Sequence, residues 1–179
     1  QQALEPIGFD LEKANQLLNE AGWSNLRYGA RNKNGVPLTF KLTIIGGDPF
    51  QRELGRALQR QWRKIGAEAQ LHAASYGEIA RVRASNAEFQ AILIQQPLTH
   101  YLDQYSLWHS SEIGSGLGNF TRTQDEKLDA LLTEIRTNFD PAKNQEYAVQ
   151  LQTQLYDLQP CFHLFLSHHA RVFQKGRAV

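Results

Sequence analysis

The chain alternates apolar with polar side chains through Leu38-Thr-Phe-Lys-Leu-Thr-Ile44. This period of two predicts a β-strand with one buried face, because successive side chains on a strand point to opposite sides. A turn at Gly46-Gly47 follows, and Asp48-Pro49-Phe50-Gln51 then has the spacing of a helix start. Asp48 is the predicted N-cap, Pro49 fits the first turn, and Gln51 completes the spacing of a capping box.

The predicted helix carries an apolar stripe that runs from Phe50 through Trp62 to Ile65, and Gly66 ends it. Residues 67–73 alternate again, which predicts a second strand. Strand, helix and strand in one short stretch form a βαβ unit, which implies parallel pairing and a right-handed crossover. The Gly46-Gly47 turn lacks the glycine spacing of a phosphate-binding loop.

The flanking sequence extends this pattern in both directions. Upstream, Asp10 caps a predicted helix whose apolar stripe includes Leu17, and residues 24–37 are typical of a loop or loose hairpin. Downstream, we predict a helix from a capping box at residues 75–78, a third strand at 89–94, helices capped within residues 123–126 and at 140–141, a buried strand at 161–166 and a last strand at 171–173. Residues 1–179 are therefore predicted to form a single α/β lobe, with a mixed, mainly parallel sheet and helices on both faces.

Composition is that of an ordinary globular protein. Of the 179 residues, 41% are hydrophobic and 21% are charged, and the net charge of +1 gives no broad attraction to nucleic acid. No apolar run approaches the ~20 residues of a membrane span. The chain contains no methionine and shows no signal peptide, which favours a piece excised from a longer protein. An export signal or lipid anchor would then lie upstream.

Motifs for catalysis or metal binding are weak. The one cysteine, Cys161, stands beside Pro160 and is interpreted as a buried structural thiol. His163, His168 and His169 suggest a metal site, but neighbours on a strand point to opposite faces, so His168 and His169 do not readily share one ion. The sequence has no G-x-S-x-G elbow and no H-E-x-x-H motif. We therefore predict no enzyme activity, no cofactor and no metal site.

A long loop follows the third predicted strand, from residue 95 to residue 118. Loops of this length are uncommon in compact domains and are usually functional or disordered, and the aromatic content argues against disorder. A strand that leads into an aromatic loop is typical of an α/β ligand site, outside the carboxyl ends of the strands. The alternative is a loop that only packs onto its own scaffold. The loop's aromatic and imidazole side chains include Tyr101, Tyr105, Trp108 and His109.

Several stretches together resemble one protein family. The segment Asp10-Leu-Glu-Lys-Ala-Asn-Gln-Leu-Leu-Asn-Glu-Ala-Gly-Trp23 is similar to a "D-x-x-K-A-x-x-L-L-x-x-A-G-W" element, and Leu107-Trp-His-Ser-Ser111 and Gly118-Asn-Phe-Thr121 are similar to "L-F-H-S-S" and "G-N-Y-S". These elements, in this order, resemble the peptide/nickel class of extracytoplasmic solute-binding proteins that serve ABC importers, known as family 5. The resemblance covers nearly the whole chain.

The resemblance implies the second large lobe of a longer, two-lobed protein of the type II periplasmic-binding-protein kind. Such proteins bind oligopeptides, dipeptides, nickel chelates or sugars between lobes that close like a hinge. The implied protein is a non-catalytic monomer that works with the membrane permease of an ABC importer. It is periplasmic or at the cell surface, and has no nucleic-acid partner. The alternative is the ligand-sensing domain of a cytoplasmic transcriptional regulator, and a hydrolytic enzyme is a distant third.

The same resemblance implies a ligand-binding segment directly after the third strand. The family shows "G-W-x-x-D-Y-P-D-P" there, and this chain has Gln96 in place of the tryptophan and Thr99 or His100 near the first acid. The candidate contacts are Gln96, Thr99, His100, Tyr101 and Asp103. Only Asp103 keeps an acid, so a free peptide amine is not the assumed ligand group. The alternative role of Asp103 is to cap a short helix through Tyr105 and Leu107.

Overall fold

The computed structural model describes residues 4–27, 29–84, 89–95, 103–115 and 118–165. The first half of the chain contains α1 (Leu11–Glu20), β1 (Asn25–Arg27), β2 (Ala30–Lys33), β3 (Val36–Pro37), β4 (Thr39–Ile45), α2 (Pro49–Arg63), β5 (Glu68–Ala74) and α3 (Tyr76–Ala84). The second half contains β6 (Ala91–Ile92), α4 (Tyr105–Trp108), a 3-10 turn (Ser110–Glu112), α5 (Glu126–Thr137) and α6 (Pro141–Leu158). Helices and strands alternate as predicted for the α/β class.

The predicted βαβ unit is β4-α2-β5. β4 and β5 pair in parallel with Leu42 opposite Leu71 and Ile45 opposite Ala74, and β6 pairs in parallel with the other edge of β4. The strand order of this sheet is β5-β4-β6. The parallel pairing inferred from the sequence is confirmed.

Helices cover both faces of the parallel sheet. On one face, Leu42, Ile44 and Ala69 form a buried cluster against which Leu58 and Trp62 of α2 pack. On the other face, Ile45 and Ala74 form a cluster with Ile79 of α3. The two clusters draw on alternate residues of each strand, which is the consequence of the strand period of two.

Gly55 lies inside α2, where the helix passes closest to the sheet. A Cβ atom at this position would lie 3.1 Å from Leu71 Cδ2 and 3.4 Å from Ile44 Cγ2. The first separation is tighter than nine in ten real Cβ contacts, and the second is at the edge of ordinary van der Waals contact. The glycine therefore sets how closely α2 approaches β4 and β5.

The start of α2 corrects two predictions. Asp48 is the N-cap as predicted, and its Oδ1 accepts from the backbone N–H groups of Phe50 and Gln51. Gln51, however, does not complete a capping box: its buried Oε1 accepts from the backbone N–H of Ile45, 2.9 Å away, and so ties α2 to the end of β4. Phe50 was predicted on the apolar stripe but is 59% exposed, because Gln51 is the residue of this turn that is buried against the end of β4.

Residues 24–37, predicted as a loop or loose hairpin, form a small antiparallel sheet in the order β1-β2-β3. Arg31 of β2 is buried and connects this sheet to its surroundings. Its guanidinium donates to the carbonyl of Ile65 at 2.8 Å, to Asn15 Oδ1 at 2.7 Å, and also to Asn19 Oδ1 and the carbonyl of Trp23. The chain therefore has both parallel and antiparallel pairing, divided between two sheets.

α5 and α6 form a helical pair with its own apolar cluster of Leu128, Leu132, Ile135 and Leu151. Asp125 is the N-cap of α5, where the sequence placed the cap within residues 123–126. Asp140 caps α6 and Pro141 takes its first turn, as predicted. Among the residues that the structure describes, no helix is long and apolar enough to cross a membrane.

Three further expectations differ from the structure. The strand predicted at 89–94 is paired only at Ala91–Ile92. Residues 161–165 are not a buried strand, since they have no regular structure and Phe162 is 68% exposed. The stripe of α1 is not buried either, because none of its residues is buried and Leu17 is half exposed. The strand predicted at 171–173 lies outside the described residues.

Candidate functional site

The carboxyl ends of β4 and β5 lie side by side and define one edge of the parallel sheet. Ile45 and Ala74, the last residues of the two strands, are register partners. The chain then leaves β4 through Gly46-Gly47 into α2, and leaves β5 through Ser75 into α3. Parallel α/β sheets bind ligands outside this edge, because the loops that follow the strands converge there.

Two exposed aromatic side chains stand at this edge. Phe50, in the first turn of α2, is 59% exposed, and Tyr76, the first residue of α3, is 72% exposed. Phe165 meets Phe50 edge to face, with ring centroids 5.5 Å apart and an interplanar angle of 90°. Since α2 and α3 cover opposite faces of the sheet, aromatic surface flanks the edge from both sides. Such rings offer apolar contact and stacking to a ligand.

Backbone hydrogen bonding at the same edge is well ordered. Ser75 and Glu78 form the predicted capping box: Ser75 N donates to Glu78 Oε2 at 2.7 Å, and Glu78 N donates to Ser75 Oγ at 3.2 Å. The backbone hydrogen bond from Ser75, followed by its hydroxyl, lowers the pKa of Glu78 below its ordinary value. On the other side, Arg52 Nη2 donates to the carbonyl of Gly46 at 3.0 Å. These contacts fix the two helix starts that carry the exposed rings.

The predicted ligand segment follows β6. Gln96, Thr99, His100 and Tyr101 lie outside the described residues, so their contacts with ligand stay a prediction. Asp103 is described and is exposed. Its Oδ1 accepts from the backbone N–H of Tyr105 at 3.0 Å, at the start of α4. The N-cap residue of α4 is Gln104, whose side chain makes no capping bond, so Asp103 bonds to the start of the helix from one residue further out.

The second oxygen of Asp103 is also engaged. Arg136, in the last turn of α5, donates to Asp103 Oδ2 from Nε at 3.1 Å and from Nη2 at 2.9 Å. The guanidinium carbon of Arg136 lies 3.9 Å from the centroid of the Tyr105 ring. Tyr105 in turn stacks on His109, with centroids 4.0 Å apart and ring planes 16° apart. Carboxylate, guanidinium, phenol and imidazole thus form one continuous column.

A serine, a histidine and an aspartate meet at the far end of this column. His109 Nδ1 accepts from the backbone N–H of Ser111 at 3.1 Å and lies 2.9 Å from Ser111 Oγ. Asp129 Oδ1 is 3.9 Å from the same ring nitrogen. A catalytic relay needs the serine and the aspartate at different nitrogens of the ring. Here both lie at the same nitrogen, so the arrangement is a structural contact.

Asn119 organises the loop between the 3-10 turn and α5. Its side chain is 1% exposed, and its Nδ2 donates to the carbonyls of Trp108 at 2.9 Å, His109 at 3.2 Å and Thr123 at 2.8 Å. Its Oδ1 accepts from Thr121 Oγ1 and from the backbone N–H of Thr123. Trp108 packs on the cluster of α5 and α6 and so attaches the loop to the helical scaffold.

The C-terminal candidates do not assemble a metal centre in the described part of the chain. Cys161 Sγ lies 3.5 Å from His163 Nε2, and burial raises the pKa of the Cys161 thiol. No group of three or more histidine, cysteine or acidic side chains with ligand geometry occurs among the described residues. His168 and His169 lie outside them.

Sequence reasoning missed two parts of this region. Tyr76 was assigned only to a capping box, although it comes just after the carboxyl end of a predicted strand, where α/β sheets bind ligands. Arg136 was not singled out, because its partner Asp103 is 33 residues away and no local pattern relates them. The one sequence feature that could have pointed to Arg136 is its position near the end of the predicted helix that follows the long loop.

Comparison with known proteins gives a consistent result. Residues 1–119 match the family described as "Bacterial extracellular solute-binding proteins, family 5 Middle". The oligopeptide-binding protein AppA of Bacillus subtilis (strain 168) is 26% identical over 159 residues, which cover 88% of this chain and 29% of AppA.

Solved structures agree with the sequence comparison. The structure of AppA in complex with a nonapeptide superposes with a TM-score of 0.81 at 24% identity, over 89% of this chain and 32% of AppA, and shows the fold. NikZ from Campylobacter jejuni, in complex with Ni(L-His), gives a TM-score of 0.73 at 26% identity, over 85% of this chain and 31% of NikZ. The chain spans about a third of the length of these relatives.

Proposed function

The chain belongs to the family 5 bacterial extracellular solute-binding proteins, and on that premise we propose that it is a non-catalytic ligand-binding lobe of an ABC importer's receptor. The relatives above are binding proteins, one crystallised with a peptide and one with a nickel–histidine complex. None of them is named as a regulator, so the regulator alternative has no support from them. The ligand of this lobe is a peptide or a related small molecule.

The observation that carries the proposal is the pair of exposed aromatic residues at the carboxyl edge of the parallel sheet. Buried aromatic rings stabilise a fold, but Phe50 and Tyr76 are left largely exposed on two well-capped helix starts. Exposed rings held by a rigid scaffold suit a ligand that is enclosed between two walls, since such sites are mainly apolar with a few polar groups. We propose that this edge is one wall.

The segment that follows β6 supplies the polar groups of this wall in our proposal. Gln96, Thr99 and His100 offer hydrogen bonds, and Tyr101 offers a hydroxyl and a stacking face. Asp103 stands at the far end of the segment, next to α4. The second wall comes from the rest of a longer protein, because the relatives are about three times as long as this chain.

The partner and compartment follow from the family and are proposed for the full-length protein. It is a monomer that delivers its ligand to the membrane permease of an ABC importer and has no nucleic-acid partner. It acts in the periplasm or at the cell surface, and the cell-surface alternative requires a lipid anchor from an upstream signal.

A thermal-shift screen of the full-length protein against peptides, nickel–histidine and oligosaccharides tests the proposal. A ligand at ~100 times its dissociation constant adds about 2.7 kcal/mol of apparent stability. The Tyr76→Ala variant should weaken binding of the hit about tenfold in calorimetry, because a stacking contact of about 1 kcal/mol or more is lost. Lys143→Ala, an exposed change on α6, is the matched control and should leave affinity unchanged. Equal affinity in both variants would remove Tyr76 from the site.

The isolated chain should bind the same hit weakly or not at all. A ligand enclosed by two lobes loses half of its buried surface when one lobe is missing, and its polar groups lose partners. Calorimetry on residues 1–179 alone provides the measurement. Submicromolar affinity of this fragment would contradict the two-lobed arrangement.

A further inference from the structure

We infer that Arg136 is a positioning residue for the ligand wall. In this inference α5 is a rigid support, here called the splint, that holds the segment from Asp103 to Ser111 at two points. The first point is the Asp103–Arg136 pair. The second is Asp129, which accepts from the backbone N–H and from the hydroxyl of Ser110. The inference rests on the proposed function, because the segment leads out of the proposed ligand segment.

The two points match the geometry of a helix. Asp129 and Arg136 are seven residues apart, which places them on the same face of α5, two turns and about 10 Å apart along its axis. Asp103 and Ser110 are also seven residues apart, and α4 lies between them. α5 itself is fixed by Leu128, Leu131, Leu132 and Ile135, which are all buried. A rigid helix thus holds a short one at both ends.

The Arg136 contact is more than an exposed ion pair. Such pairs contribute little when they stand alone, because water screens them and both side chains lose freedom. Here two N–H groups of one guanidinium reach the same carboxylate oxygen, and the guanidinium also lies over the Tyr105 ring. Asp103 Oδ1 meanwhile holds the backbone N–H of Tyr105. Carboxylate, ring and backbone at the start of α4 are therefore all fixed relative to α5.

This arrangement changes the role of Asp103. A carboxylate that is neutralised by Arg136 is a poor receptor for a cationic ligand group, because its charge is already compensated at 2.9 Å. The preceding residues 95–102 contain no acid. In this part of the wall, recognition therefore uses neutral hydrogen bonds and aromatic contact, with Asp103 as an anchor.

Hydrogen exchange of the full-length protein, read by mass spectrometry without ligand, tests the splint. In Arg136→Gln, amides in residues 103–112 should exchange about three- to tenfold faster, while peptides from α2 and β4 keep the wild-type rate. Asp103→Asn should reproduce this local change, and Arg136→Lys should give a smaller one, because lysine keeps the charge but not the planar stack. The matched control is Arg56→Gln, which removes an exposed pair with Glu53 on α2 and should leave residues 103–112 unchanged.

The outcomes separate the splint from the proposed function. Local acceleration in the Arg136 and Asp103 variants, absent in the Arg56 control, supports the inference. Unchanged exchange in residues 103–112, or an equal rise along the whole chain, would overturn it. Because the measurement needs no ligand, a failed ligand screen would count against the proposed function and leave the splint standing.

Discussion

The sheet region (residues 39–94) and the helical region (residues 103–158) are stabilised in different ways. The sheet region relies on a parallel backbone ladder and on apolar clusters against α2 and α3. The helical region has an apolar cluster too, but its loop and short helices are held by side-chain hydrogen bonds at Asn119, Asp129 and Arg136. Apolar burial is not directional, whereas each hydrogen bond depends on the distance and angle between donor and acceptor. The helical region is therefore more sensitive to single polar substitutions.

The largest expected effect is in the sheet region. Trp62→Ala should lower the free energy of unfolding by about 3 kcal/mol, because the ring packs on the sheet and meets Phe40 edge to face at 5.1 Å. Urea denaturation provides the measurement. Tyr76→Ala, an exposed aromatic truncation in the same region, is the control and should change stability by less than about 0.5 kcal/mol. Similar losses of unfolding free energy in both variants would contradict the conclusion that apolar burial stabilises the sheet region.

The second prediction is that loss of one polar side chain lowers the free energy of unfolding nearly as much as loss of an apolar one. Asn119→Ala should cost about 2–3 kcal/mol, because the carbonyls of Trp108 and Thr123 lose a donor that is itself buried. Chemical denaturation measures the loss, and Gln124→Ala, an exposed amide in the same loop, is the control. A cost below about 0.5 kcal/mol would mean that water replaces Asn119, and the contrast between the regions would fail.

A third comparison uses one N-cap from each region. Asp48→Ala should cost about 1 kcal/mol, the usual value for a cap. Asp125→Ala should cost about 1–2 kcal/mol, because Asp125 Oδ1 accepts from Leu128 N at 2.8 Å and also from Gln154 Nε2 at 3.0 Å, and so joins α5 to α6. Equal losses, measured by thermal unfolding, would show that the link to Gln154 adds nothing.

The smallest effect concerns pH at the start of α3. The folded-state pKa of Glu78 is lowered, so its contribution to stability is present above the unfolded pKa and is lost as pH falls through the folded pKa. NMR titration of the Glu78 carboxyl should therefore give a pKa below that of an ordinary glutamate. In Ser75→Ala the pKa should rise, because the lowering contribution of the Ser75 hydroxyl is gone. An unchanged pKa in this variant would show that the hydroxyl contributes nothing to the shift.

The same contrast explains how much could be predicted from the sequence. β4, α2 and β5 were predicted because burial imposes a period on the sequence, and the capping residues Asp48 and Asp140 have local signatures. The pairing of Asp103 with Arg136 joins residues 33 positions apart, so it produces no repeating pattern in the sequence that could be recognised. The hydrogen bonds of Asn119 likewise depend on where three carbonyls converge, which only the folded loop determines.

Two errors have a common physical cause. Phe50 and residues 161–165 are apolar, and apolar sequence was taken as evidence of burial. A hydrophobic side chain gains free energy when it is removed from water, but the sequence does not say whether this chain or a ligand covers it. At the carboxyl edge of the sheet an exposed ring suits a ligand, so there the failure of the burial rule itself points to the candidate site.

Gly55 has a consequence for attempts to make this protein more heat-resistant. Replacing a helix glycine by alanine is a common stabilising strategy, since alanine has a helix preference about 1 kcal/mol better. In α2 the added Cβ atom would lie 3.1 Å from Leu71 Cδ2, so the Leu71 side chain must shift by a few tenths of an ångström, and this cost works against the gain in helix preference. Gly77 of α3, where a Cβ atom would meet nothing closer than the Ser75 hydroxyl at 3.9 Å, accepts the same change without a steric conflict. Consensus or library methods that treat glycines alike would therefore gain less at Gly55 than at Gly77.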